Sequence, residues 1–176
     1  MVQYARPDAD TSVGNWTASS GSNRYAMIDE ASTDDSDYIE VTDSFGGAEA
    51  ITLSLSSVTD PSSGSSHSVV VRSSEDGGMS SITLNVNLKD GGSSIKNEDF
   101  YPGGSTVNHT MTLSTAQANN ISGGGYGNLT LILTATDGAG MGTTTKIYQA
   151  YFACPDAASS TPIAAIAMNT YRQMGN

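Results

Sequence analysis

Positive charge is what this chain has least of. Seven Lys and Arg stand against 18 Asp and Glu along 176 residues, for a formal net charge of -11. That balance excludes recognition of nucleic acid through its phosphates, which needs clustered Lys and Arg. It equally excludes docking on an anionic membrane surface. It does keep a Ser-rich chain soluble and discourages edge-to-edge association of strands. Cysteine is almost missing as well. Cys154 stands alone, so there is no internal disulfide framework and no demand for an oxidising or a reducing compartment. No stretch approaches the roughly 20 apolar residues of a membrane span. The opening Met1-Val2-Gln3-Tyr4-Ala5-Arg6-Pro7-Asp8 lacks the apolar run of a secretory signal peptide, so synthesis in the cytoplasm is expected.

What the chain does have is alternation. Ile51-Thr52-Leu53-Ser54-Leu55, Ile82-Thr83-Leu84-Asn85-Val86-Asn87-Leu88 and Leu129-Thr130-Leu131-Ile132-Leu133-Thr134 repeat at a period of two. That period sends one face to a core and the other to water or a partner. Strands are expected over residues 24–28, 38–42, 50–55, 68–72, 81–88, 95–101, 107–113, 129–136 and 144–153. Turn chemistry separates them: Asp60-Pro61-Ser62-Ser63-Gly64, Lys89-Asp90-Gly91-Gly92, Gly123-Gly124-Gly125 and Asp137-Gly138-Ala139-Gly140. One helical turn is expected at Ser114-Thr115-Ala116-Gln117-Ala118-Asn119-Asn120-Ile121, with Ser114 or Thr115 as its N-cap. Many short strands without interleaved helices predict an all-β fold, an antiparallel jelly-roll-like β-sandwich over residues 1–153.

Residues 154–176 are predicted to form a linker and a short C-terminal helix. Thr161 can cap it, Pro162 suits its first position and Gly175 its stop. Pro162, Ile163, Ile166, Tyr171 and Met174 would dock on an adjacent subunit, either another copy of this chain or a larger capsid or tail protein. The plainer reading packs the same helix on its own sandwich.

The N-terminal stretch carries a resemblance. Arg6-Pro7-Asp8-Ala9-Asp10, Gly14-Asn15-Trp16-Thr17, Tyr25-Ala26-Met27-Ile28-Asp29-Glu30 and Asp34-Asp35-Ser36-Asp37-Tyr38-Ile39 follow one another closely. Together with Leu113-Ser114-Thr115-Ala116-Gln117-Ala118, this resembles the β-sandwich structural and decoration modules of tailed bacteriophages. The resemblance implies a jelly-roll-like sandwich on the virion exterior, a structural or adhesive role, and no catalytic residues. The extension past Cys154 departs from that pattern.

The candidate sites follow from residue chemistry. Asp34, Asp35 and Asp37, beside Asp29 and Glu30, offer the carboxylate oxygens that Ca²⁺ takes, though not in EF-hand order; the plainer reading is a solvated acidic loop. No other cofactor is implied. Trp16 and Tyr126 are the candidate glycan contacts, because aromatic faces stack on the C–H surfaces of sugars; a core role is the plainer reading of Trp16. Tyr25, Tyr38, Tyr101 and Tyr148 are further aromatic candidates. His67 and His109 fall in step with inward-facing Val69, Val71, Met111 and Leu113, and are expected in the core rather than at a catalytic site. Cys154 is expected to be a buried thiol.

Three functions are then in play. The first is a virion structural protein, a capsid decoration or accessory tail subunit that is not an enzyme. The alternative is a carbohydrate-binding or adhesin module that takes host glycans. The third is a hydrolase, which needs a Ser–His–Asp or paired-carboxylate geometry that no local motif supplies.

Overall fold

A computed structural model describes residues 1–43, 47–76, 82–122, 124–138 and 142–157. In chain order the strands are β1 (Val2–Ala5), β2 (Pro7–Ser12), β3 (Thr17–Ala18), β4 (Ile39–Asp43), β5 (Ala48–Leu55), β6 (Ser68–Asp76), β7 (Ile82–Asp90), β8 (Ser93–Phe100), β9 (Val107–Thr112), β10 (Leu129–Asp137) and β11 (Thr143–Pro155). One helical turn, α1 (Thr115–Ala118), carries a capping box between Ser114 and Gln117.

The strands form two antiparallel sheets. One runs β3-β4-β11-β6-β9, with β1 also pairing β11; the other runs β2-β5-β10-β7-β8. The alternation read in the sequence maps directly onto these sheets. Leu131 sits between Leu53 and Leu88, and Leu133 between Ile51 and Val86, all fully or almost fully buried. The facing sheet answers with Ile39, Val41, Val69, Val71, Met111, Ile147 and Phe152. Burying such side chains contributes roughly 1.5–3 kcal/mol each.

Two features of the first sheet position the site. Both β4 and β1 flank β11 on the same side, end to end: β4 pairs Thr143–Ile147, and β1 pairs Phe152 to Pro155. In the gap between them Ala150 donates its N–H to the Ile28 carbonyl at 2.9 Å. The second feature is a bulge. The β11–β6 register passes from Ile147↔Ser73 to Gln149↔Arg72 and leaves Tyr148 unpaired. The extra residue shifts the parity of the strand, so Ile147 and Ala150 both belong to the core cluster.

Several expectations need correction. Residues 24–28 are not a strand but a 3₁₀ turn, Tyr25–Met27. The cause is Asp10, whose carboxylate accepts the backbone N–H groups of Arg24 and Tyr25, each at 2.8 Å. Strands β1, β2 and β3 were not expected at all. The last strand runs to Pro155, two residues past the expected domain boundary, and the docking residues Pro162, Ile163, Ile166, Tyr171 and Met174 lie outside the described residues.

Gly14 turns the chain after β2 with φ +52°, and a Cβ there would sit 2.7 Å from the Ala50 carbonyl oxygen. Gly14→Ala is therefore expected to lose about 1–3 kcal/mol, from left-handed strain plus the displaced carbonyl. A urea midpoint within the error of the parent protein's would contradict this.

Candidate functional site

The outer face of the first sheet carries an open cleft of about 300 Å³. Strand register builds its floor. Tyr4 pairs Ala153 across β1 and β11, while Tyr151 pairs Val70 and Gln149 pairs Arg72 across β11 and β6. Asn108, beside Arg72 on β9, closes one side, and Ala31, Ser32 and Thr33 form the loop wall. Tyr4 and Tyr151 meet edge to face, their ring centres 5.5 Å apart at 82°. The Arg6 guanidinium lies over the Tyr4 ring, 5.1 Å from its centre. Tyr4 is 45% exposed, so an aromatic surface is held open to solvent by a packed neighbour and a cation.

Hydrogen bonds fix the loop over the sheet. The Glu30 carbonyl accepts both Gln149 Nε2 at 2.8 Å and Arg6 Nε at 3.3 Å. Arg72 grips Asp35 bidentately, with Nε–Oδ1 and Nη2–Oδ2 both 2.7 Å. That hydrogen-bonded guanidinium holds the Asp35 carboxyl below its usual value, and Arg72 is raised in return. The Glu30 carboxyl moves the other way, pushed up by burial first and by repulsion from Asp29, Asp37 and Asp34.

The aromatic residues expected at a glycan site lie elsewhere. Trp16 is 0% exposed and donates Nε1–H to the Glu49 carbonyl at 3.1 Å. Tyr126 is 4% exposed, and its hydroxyl meets His67 Nε2 at 2.8 Å. Both belong to the core, because each finds a buried polar partner for its single polar group. Tyr38 and Tyr148 pack on each other at 5.8 Å, Tyr25 packs against the core, and Tyr101 is exposed but does not line the cleft. Tyr4 and Tyr151, which do line it, went unrecognised.

Two of the calcium candidates have protein partners. Asp35 is spent on Arg72, and Asp34 accepts the N–H and hydroxyl of Ser36, which lower its pKa. Among the described residues no group of three His, Cys, Asp or Glu comes together, Asp37 included. Among the described residues neither imidazole is bonded to a serine hydroxyl. His67 Nδ1 faces the Ser65 carbonyl at 2.9 Å, so that nitrogen carries the proton and Nε2 accepts from Tyr126. His109 packs on Phe100 with ring centres 5.0 Å apart. Cys154 is wholly buried, and burial pushes its thiol up to about 11, far from a reactive thiolate.

Burial also lowers both imidazoles from their ordinary value of 6.5. The unfolded chain therefore takes up these two protons first as pH falls. Stability is fully present above about pH 6.5 and is lost as pH drops from there toward the depressed folded values. Melting temperatures read from pH 8 to pH 5 should decline through that window, and the decline should flatten in a His67→Gln/His109→Gln variant. An unchanged slope in that variant would refute the assignment.

Comparisons with known proteins give a likeness of shape. No family model matches the chain, and no curated protein does. TmCBM61, solved in complex with β-1,4-galactotriose, is similar over 68% of this chain and 71% of its own, at 10% identity and a TM-score of 0.42. The CBM36-1 domain of a multidomain xylanase from the hindgut metagenome of Trinervitermes trinervoides covers 89% of this chain and 98% of its own, at 14% identity and 0.40. The Stig cyclase Fisc from Fischerella sp. TAU covers 89% and 74%, at 14% identity and 0.44. An enzyme and two carbohydrate-binding modules stand at the same level of likeness, so function is drawn from the cleft alone.

Proposed function

We propose that this chain is a non-catalytic sugar-binding domain whose site is the Tyr4–Tyr151 cleft. The carrying observation is the combination of two angled tyrosine rings, one of them well exposed, with the guanidinium of Arg6 and the amides of Gln149 and Asn108 around one shallow space. Sugars present C–H faces that stack on aromatic rings and hydroxyls that bond to amides and guanidinium groups. A largely preformed concavity with few polar groups is the usual form of such a site. The strand order supports a jelly roll: β4-β11-β6-β9 faces β5-β10-β7-β8, and most successive strands alternate between the two sheets. A place on the outside of a virion, which the opening resemblance implies, gives this cleft a setting rather than a second activity.

The test is a panel of neutral and acidic oligosaccharides titrated into isotopically labelled protein. Shifts should concentrate at Tyr4, Gln149 and Tyr151 as sugar is added. No shift with any sugar at millimolar concentration overturns the reading.

A further inference from the structure

Most cations of this acidic chain are committed. Arg72, Lys96 and Lys146 pair with Asp35, Glu98 and Asp76, and Arg24 donates to the carbonyls of Trp16 and Ser22. Lys89 lies on β7 of the other sheet, away from the cleft. Arg6 differs. Among the described residues it makes no ion pair and its terminal nitrogens have no hydrogen-bond partner, while its Nε is anchored on the Glu30 carbonyl. It is also, among the described residues, the one charged residue lining the cleft, in a chain whose net charge is -11. The loop wall opposite is Ala31-Ser32-Thr33, uncharged throughout. Of the acids that follow, Asp35 is turned to Arg72 and Asp34 to Ser36.

Resting on the sugar-binding reading, we infer that the cleft selects an acidic sugar, its carboxylate received by the terminal nitrogens of Arg6 while the ring stacks against Tyr4 and Tyr151. A guanidinium presents parallel N–H donors whose spacing matches a carboxylate, and such charge-assisted bidentate pairs are roughly twice as strong as neutral ones. Stacking on Tyr4 and the bond to Glu30 hold the fork in place before ligand arrives, so little freedom is lost on binding. The same Glu30 oxygen holds Gln149 Nε2, which places a neutral donor beside the charged one for a neighbouring hydroxyl.

The experiment compares a glucuronic-acid oligosaccharide with its carboxyl-reduced neutral counterpart by calorimetry, with a sulfated neutral oligosaccharide as a third arm. The acidic ligand should bind on the order of tenfold tighter than the reduced one, and that preference should shrink as salt rises. Arg6→Gln should bring the acidic and reduced sugars to the same affinity, whatever the level of that affinity; Arg6→Lys, which keeps charge without the fork, should retain part of the preference. Equal affinity for the acidic and reduced sugars overturns the inference and leaves sugar binding intact. Preference for the sulfated sugar alone also overturns it, because the fork then serves a sulfate ester. Silence in all three arms removes the sugar-binding reading itself. The wild-type comparison stands whether or not the Arg6 variants fold.

Discussion

Trp16→Ala is expected to destabilise the sandwich by about 3–5 kcal/mol, the usual cost of emptying a large buried aromatic site. Trp16 is wholly buried in the main core, and its indole N–H satisfies the Glu49 carbonyl on β5. Its backbone is tied as well: its N–H reaches Val13, and its carbonyl receives Arg24 Nε at 3.1 Å. The indole therefore ties Trp16 to β5, while the backbone ties the residue to Val13 and Arg24. Removing the indole leaves a cavity and orphans a carbonyl in its wall, and the two penalties add. At roughly 2–4 °C per kcal/mol for a chain of this size, the melting temperature should fall by about 6–20 °C. Trp16→Phe, which keeps most of the volume but not the N–H, should recover most of the loss. A Trp16→Ala protein that melts within about 2 °C of wild type would mean that the indole is not a structural anchor.

Tyr151→Ala should weaken sugar binding by about tenfold or more while leaving the fold in place. Tyr151 lies on the outer face of β11, half-buried, and its contact with Tyr4 sets the angle between the two rings. Losing it removes one stacking surface and frees the other to swing, so the affinity cost exceeds the area lost. Tyr151→Phe should keep most of the affinity if the ring carries the contact, and lose it if the hydroxyl does. Parent-like affinity in Tyr151→Ala, read by the same calorimetry, would place the binding surface elsewhere.

The core was legible because period-two alternation is a physical demand of a sheet with one dry face. The runs over β5, β7 and β10 carry it without interruption, and all three were read within a few residues of their bounds. The signal fails where burial stops tracking polarity. Ser73 and Glu75 face the core of β6, with Glu75 only 3% exposed, so the strand continues past Arg72, where polar residues had suggested an end. The strands β1 and β2 hide for a related reason. Pro7, Asp8 and Asp10 are poor strand formers, tolerated because β2 is an edge whose register with β5 slips twice. The cleft was illegible because Tyr4 and Tyr151 come from opposite ends of the chain. Only the pairing of β1 with β11 brings them together, and no local spacing announces that pairing. Trp16 and Tyr126 were instead weighed on residue type, which says nothing about exposure.

That pairing also dictates an order of events. Val2 meets Pro155 and Ala5 meets Phe152, so β1 has no neighbour until β11 exists. During synthesis at about 5–20 residues per second, β1 waits on the ribosome for β11 to emerge. Contacts this distant in sequence carry the largest loop-closure cost and slow folding. The two arms of the cleft therefore come together only after the rest of the sandwich has a surface to receive them. β1 is made well before the strand it pairs with.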